Sequence, residues 1–241
     1  MASVTGRPDG AEEAVPSGNM YLTSSDYEMV HDGGGEQVVG IRFPSVGVPA
    51  GVTVTDAYVL FDVDEVRPGA SDADVTISVF GEKDVNAAAI GGGAFDLSSR
   101  TPTAAAASWT PGASANVHDE LKTPDLSPIV QEIINLQGWA EGNPMTILFG
   151  HVAGAGSRWV ESFSTNNGID TPALSVSYLA PTSTPTVCDA PPLDPPAPPP
   201  PPPPPPGVGG DTVMALINGR ADGGEENVGN GNMYLTSSDY E

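Results

Sequence analysis

Apolar residues along the first 180 positions recur in short alternating runs rather than in helical stripes. In residues 74–81, Val75, Ile77 and Val79 fall on one side and Thr76, Ser78 and Phe80 on the other, the period of two of a half-buried strand. The same alternation, or a short apolar run bounded by turn residues, predicts strands over residues 19–24, 26–31, 37–43, 53–64, 145–150, 158–163 and 173–179. Clusters such as Asp32-Gly33-Gly34-Gly35 and Arg67-Pro68-Gly69 punctuate them. Many short strands at this spacing predict an all-β fold, an antiparallel β-sandwich of the jelly-roll kind. Residues 84–122, rich in Ala and Gly, are expected to be irregular, with one strand near 106–109.

One stretch breaks the period. Within residues 123–139, Leu126, Ile129, Val130, Ile133 and Ile134 form a stripe at three-four spacing. Ser127 is expected to cap this helix, with Pro128 at its first position and Gly138 as the stop. A single helix in a chain of strands is expected to plug one edge or end of the sandwich.

Past Leu179 the pattern ends. Fifteen of the 26 prolines lie within residues 181–206, and the stretch closes on nine in succession. Consecutive prolines settle into polyproline II at about 3.1 Å per residue, so residues 191–206 predict a rod of about 50 Å. Residues 207–210, Gly-Val-Gly-Gly, then form a flexible joint.

Beyond the joint the opening of the chain recurs. Residues 219–241 repeat residues 6–28 with 18 of 23 positions identical, and Met214-Ala215 repeats Met1-Ala2. Self-similarity at a fixed offset marks a unit strung into an array. The expected organisation is a β-sandwich unit over 1–180, a Pro-rich linker over 181–210, and the first strands of a second repeat over 211–241. On this reading Met1 is an internal residue of a longer polypeptide.

Charge narrows the function. Thirty-one Asp and Glu against eight Lys and Arg give a formal charge of −23, which argues against nucleic acid and anionic membrane as partners. No apolar run of about 18 residues is present, so no membrane insertion is expected. The single cysteine, Cys188, lies in the linker, as a free thiol or a crosslink to another chain. No Asn-x-Ser/Thr acceptor occurs, so any glycan is expected to be O-linked, on Thr182, Ser183, Thr184 or Thr186, or on hydroxylated Pro198, Pro199, Pro200, Pro201 and Pro202.

Two kinds of site are candidates. Trp109, Trp139 and Trp159 offer faces for stacking on sugar rings, with Arg158 beside Trp159 as a hydrogen-bond donor, although large aromatics equally build cores. Carboxylates gather at Asp9, Glu12 and Glu13 and again at Asp62 and Asp64, and could serve calcium or simply solvate the surface. The first group recurs as Asp222, Glu225 and Glu226. No EF-hand spacing, P-loop or nucleophile elbow is found, and His31, His118 and His151 lie in no metal-ligand motif, so no enzymatic activity is expected.

Residues 37–64, QVVGIRFPSVGVPAGVTVTDAYVLFDVD, and residues 123–149, with the helix phrase Asp-Leu-Ser-Pro-Ile-Val-Gln-Glu ahead of Gly-Asn, resemble the DNRLRE-type domains. The resemblance implies a secreted jelly roll related to carbohydrate-binding modules, used as an accessory or repeated unit of surface proteins. The proline tract is similar to the hydroxyproline-rich rods of green-algal wall and flagellar-surface glycoproteins. Together they imply an extracellular, non-catalytic structural repeat of a fibre, sheath, wall layer or flagellar hair, whose main partner is other copies of itself. The rival expectation is a carbohydrate-binding module repeated for avidity in a secreted enzyme or adhesin.

Overall fold

The computed structural model describes residues 1–3, 9–33, 35–162 and 170–180, and the backbone of two short strands beyond them. The chain divides into two compact units, Met1–Thr186 and Val187–Glu241. In the first, the strands are β1 (Ala2–Ser3), β2 (Gly10–Ala14), β3 (Asn19–Tyr21), β4 (Asp26–Glu28), β5 (His31–Asp32), β6 (Gly35–Phe43), β7 (Thr53–Glu65), β8 (Val75–Glu82), β9 (Pro102–Trp109) and β10 (Glu120–Lys122). The helix α1 (Ser127–Ile134) precedes β11 (Met145–Gly154), β12 (Trp159–Glu161) and β13 (Ala173–Leu179). The rod over 191–206, Cys188 and the expected O-glycan positions Thr182, Ser183, Thr184, Thr186 and Pro198 to Pro202 lie outside the described residues.

These strands form two antiparallel sheets. One runs β1-β13-β7-β12-β4 with β10 also on β7; the other runs β3-β2-β6-β11-β8-β9 with β5 on β6. The chain changes sheet between β1 and β2, β3 and β4, β4 and β5, β6 and β7, β7 and β8, β9 and β10, β10 and β11, and β11 and β12, the repeated crossing of a jelly-roll winding. The all-β sandwich read from the sequence is the fold observed.

Alternation explains the core directly. On β7, Ala57, Val59, Phe61 and Val63 are buried while Tyr58, Leu60, Asp62 and Asp64 lie at half-exposed positions. They meet Ile41, Phe43, Ile77, Val79, Ile147 and Phe149 of the facing sheet. Each such side chain contributes about 1.5–3 kcal/mol on burial. A second, smaller core lies on the outer face of the β6–β11 sheet, where Ala11, Ile90, Leu97 and Leu148 are buried under residues 83–101. That stretch, expected to be an irregular loop, is a strap folded onto the sheet.

The helix closes one side of the sandwich, as expected of a plug. Its buried stripe of Ile129, Val130, Ile133 and Ile134 packs where β8 offers Gly81, at which a Cβ would collide with Ile133 Cδ1. Polar side chains from the helix and its lead-in then occupy the open strand edges. Gln131 Oε1 accepts from Val54 N (2.8 Å), Thr123 Oγ1 from Val59 N (3.0 Å), and Glu132 from Ala104 N (3.0 Å) and Ala105 N (2.8 Å). Ser127 is not the cap: it is the first helical residue, and the Asp125 carboxylate accepts from its N–H (2.8 Å) and hydroxyl (2.7 Å). Asp125 is the better acceptor because it is ionised.

Other differences are local. β1, β2 and β10 were not expected, β9 is longer than residues 106–109, and residues 26–31 divide into β4 and β5 because Val30 turns the chain at φ 135°.

Candidate functional site

The side of the sandwich opposite the helix is built by the opening segment. Residues 2–3 form β1, which lies at the end of one sheet; β4 ends the same sheet at β12; and β3 ends the other sheet. One short stretch of chain therefore supplies edge strands to both layers.

Its acidic side chains seat it. Glu12 and Glu13 are adjacent on a strand, so they point to opposite faces, and both are buried. Glu13 Oε2 reaches over the outer face and accepts from the strap amides of Leu97 (2.8 Å) and Ser98 (2.9 Å). Glu12 accepts from Ser24 Oγ (2.8 Å) and Glu28 N (2.7 Å). Burial, followed by the neighbouring Glu28 carboxyl, pushes the Glu12 carboxyl up to about 9, so it holds a proton at neutral pH. Asp9 accepts from Arg42 Nη1 (2.7 Å), while Arg42 Nε donates to the strap carbonyl of Ala87 (2.9 Å).

Shape completes the seat. A Cβ at Gly10 of β2 would collide with the hydroxyl end of Tyr27, which crosses the core from β4. Gly18, at φ 68°, turns the hairpin against the Phe95 ring, and Phe95 N donates to its carbonyl (3.0 Å). Ser162 Oγ, beyond β12, donates to the Ser25 carbonyl (2.6 Å).

Asp9, Glu12 and Glu13, the residues expected to serve calcium, use these oxygens for bonds within the protein. Their bonded oxygens face a guanidinium, amides and a hydroxyl, while the second oxygen of Glu13 is buried with no hydrogen-bond partner. Asp62 and Asp64 lie elsewhere, on the outer face of β7. There Asp62 bonds His118 Nδ1 (2.9 Å) and raises the imidazole's affinity for a proton, and burial, then Asp64, pushes Glu161 up to about 7. Among the described residues no group of three or more His, Cys, Asp or Glu is arranged to hold a metal ion.

Neither does the structure gather the expected sugar-binding residues. Trp109 stacks on Phe61 (5.9 Å) inside the core, and Trp139 donates its indole N–H to the Val48 carbonyl (2.9 Å); both are buried. Trp159 is also buried, on the outer face with the Arg67 guanidinium 4.5 Å from its ring centroid. Arg158 is 2 % exposed, and its guanidinium donates to the carbonyls of Gly112 (2.7 Å), Pro111 (3.1 Å) and Ala73 (3.2 Å), tying two loops together. A ring face needed for stacking is already occupied at Trp109.

Sequence reasoning missed two groups that matter more. Arg42 seats the opening, and Arg100 clamps the strap through Glu82 (2.6 Å) and Asp96 (2.8 Å). For Arg42 the signal was scarcity and place: in a chain with eight basic residues, an arginine inside a strand between apolar neighbours needs a buried partner, whereas Arg100, between Ser99 and Thr101 outside any strand, carried no such signal.

Beyond the first unit, β14 (Glu225–Glu226) pairs with β15 (Met233–Tyr234), placing Glu225 opposite Tyr234 and Glu226 opposite Met233. In the first unit Glu12 is opposite Tyr21 and Glu13 opposite Met20. Each partner is offset by 213 positions, so the repeated sequence forms the same hairpin in the same register. Compared with known proteins, the chain matches no family model and no curated protein.

Proposed function

We propose that this chain is a non-catalytic structural repeat of an extracellular polymer, a β-sandwich bead alternating with a polyproline spacer. The observation that carries the reading is the hairpin of β14 and β15, which reproduces the β2–β3 register 213 residues later. A repeated sequence that also repeats its strand pairing starts a second bead, and beads on one covalent chain form an array. The likeness to secreted jelly-roll domains and to hydroxyproline-rich rods supports an extracellular place, with the O-glycans on the linker hydroxyls and hydroxyprolines. Electron microscopy of native material tests it: globules at regular intervals, separated by up to about 50 Å of thin linker, are expected. Isolated single globules, or a linker that mass spectrometry finds wholly unmodified, count against the polymer and its glycosylation respectively.

A carbohydrate-binding role is the second reading. It draws on a shallow cleft of about 720 Å³ between residues 108–113 and 119–124, whose lining includes Trp109, Glu120 and Lys122. Glycan binding that is lost in Lys122→Ala, with the fold intact, would favour it over the polymer.

A further inference from the structure

We infer that the seat of the opening segment on one chain accepts residues 219–241 of another, so that chains join by exchanging hairpins in addition to any covalent repetition. Every seating group of the opening recurs in the second copy. Asp222, Gly223, Glu225, Glu226, Gly231 and Tyr240 stand where Asp9, Gly10, Glu12, Glu13, Gly18 and Tyr27 make the contacts. The hairpin register is also the same.

The five differences fall where the seat tolerates them. Pro16 and Ser17, replaced by Gly229 and Asn230, are exposed at the turn, and Ala14, replaced by Asn227, is only half-buried. Pro8, replaced by Ala221, lies outside the described residues. Ala11, replaced by Gly224, is the one buried change, and it removes a methyl without adding bulk. These 241 residues thus hold two hairpins of one kind and, among the described residues, one seat. An identical element offered by two chains is the requirement for exchange at little cost, since the bonds made in the new pairing equal those lost. Open strand edges on the hairpin provide the backbone pairing.

This goes beyond the tandem array, which needs only the covalent chain. The test is to unfold the 241-residue chain in urea and refold it at low and high protein concentration, reading mass by light scattering. High concentration is expected to give dimers and longer species that persist on dilution. Glu226→Lys, which sets an ammonium against the Leu97 and Ser98 amides of the recipient, is expected to lower the oligomer fraction about tenfold or more and leave the melting temperature of the bead unchanged. Glu13→Gln, which weakens a chain's hold on its own hairpin, is expected to raise that fraction. Monomers at every concentration, or oligomers indifferent to Glu226→Lys, would overturn exchange while leaving the tandem array standing.

Discussion

The two sides of the sandwich are closed by different means. On the helix side, an element that comes after β10 without interruption packs four apolar residues between the sheets and covers the strand edges with Gln131, Glu132, Thr123 and Asp125. On the other side, a segment distant in sequence inserts two buried glutamates and a buried aspartate and makes the edges itself. The first closure is local and apolar, hence hard to undo or to exchange. The second depends on long-range polar bonds, the kind whose loss leaves buried groups without partners, and its sequence is present twice. The difference teaches that the acidic composition has a structural use here: part of it is what lets an edge hairpin recognise its seat.

The largest expected effect breaks the polar closure. Arg42→Met leaves the Asp9 carboxylate buried without its guanidinium and frees the Ala87 carbonyl, at a cost of about 4 kcal/mol measured by urea denaturation. Hydrogen exchange should then rise first in β2 and β3, ahead of β7. If β9 and α1 open first, the two sides are not separable units. The helix side responds to a different change: Ile133→Ala removes a fully buried side chain over Gly81 and should cost about 3 kcal/mol, with opening spread across β7, β8 and β9 because the deficit lies in the shared core.

This asymmetry also accounts for what the sequence disclosed. The apolar stripe of the helix side was legible, since three-four spacing in Leu126 to Ile134 is a periodic signal, but its ends were not: Asp125 rather than Ser127 accepts at the start, and the helix stops at Ile134 with Asn135 as its C-cap, ahead of Gly138. The sheets were legible for the same reason: Val75, Ile77 and Val79 alternate. Strand β2 was not, because Gly-Ala-Glu-Glu-Ala has no alternation to detect. Both its glutamates are buried, one on each face, and their partners lie 84 and 85 residues away or arrive with β4. Composition reads such acids as surface or calcium ligands; only the distant amides reveal them as pins. The tryptophans failed for the converse reason, as their burial depends on Phe61, Val48 and Arg67, none of them neighbours in sequence.

A smaller change probes what the edge bonds prevent. Glu132→Ala releases the Ala104 and Ala105 amides at the rim of β9, costing about 1.5 kcal/mol, and should convert a covered edge into one that pairs with other chains. Light scattering should show concentration-dependent association through this edge that Glu226→Lys does not suppress. Association that Glu226→Lys abolishes would mean the hairpin side, not the helix side, is the open one.

The smallest effect at neutral pH is the one that separates the two closures by sign. On the helix side, the Ala105 and Ala104 amides hold the Glu132 carboxyl below its ordinary value, so its contribution is present above that value and is lost as pH falls through the lowered one. On the hairpin side, burial holds Glu12 up at about 9 against 4.5 for an ordinary glutamate. The folded chain therefore binds one more proton than the unfolded chain between those two values, and the stability this provides is full below the lower one and declines as pH rises through the upper. Glu161, up to about 7 on β12 of the other sheet, adds to the decline over the first part of that range. Acid is thus expected to loosen the helix side and alkali the hairpin side. Glu12→Gln keeps the shape and the uncharged state, so at pH 7 it should change stability by less than about 1 kcal/mol. Its mark should be a flatter decline in the urea midpoint between pH 6 and 9, with the acid limb unaltered. A variant whose alkaline decline matches that of the parent chain would show that Glu12 is ionised in its seat, and would remove the opposition between the two sides.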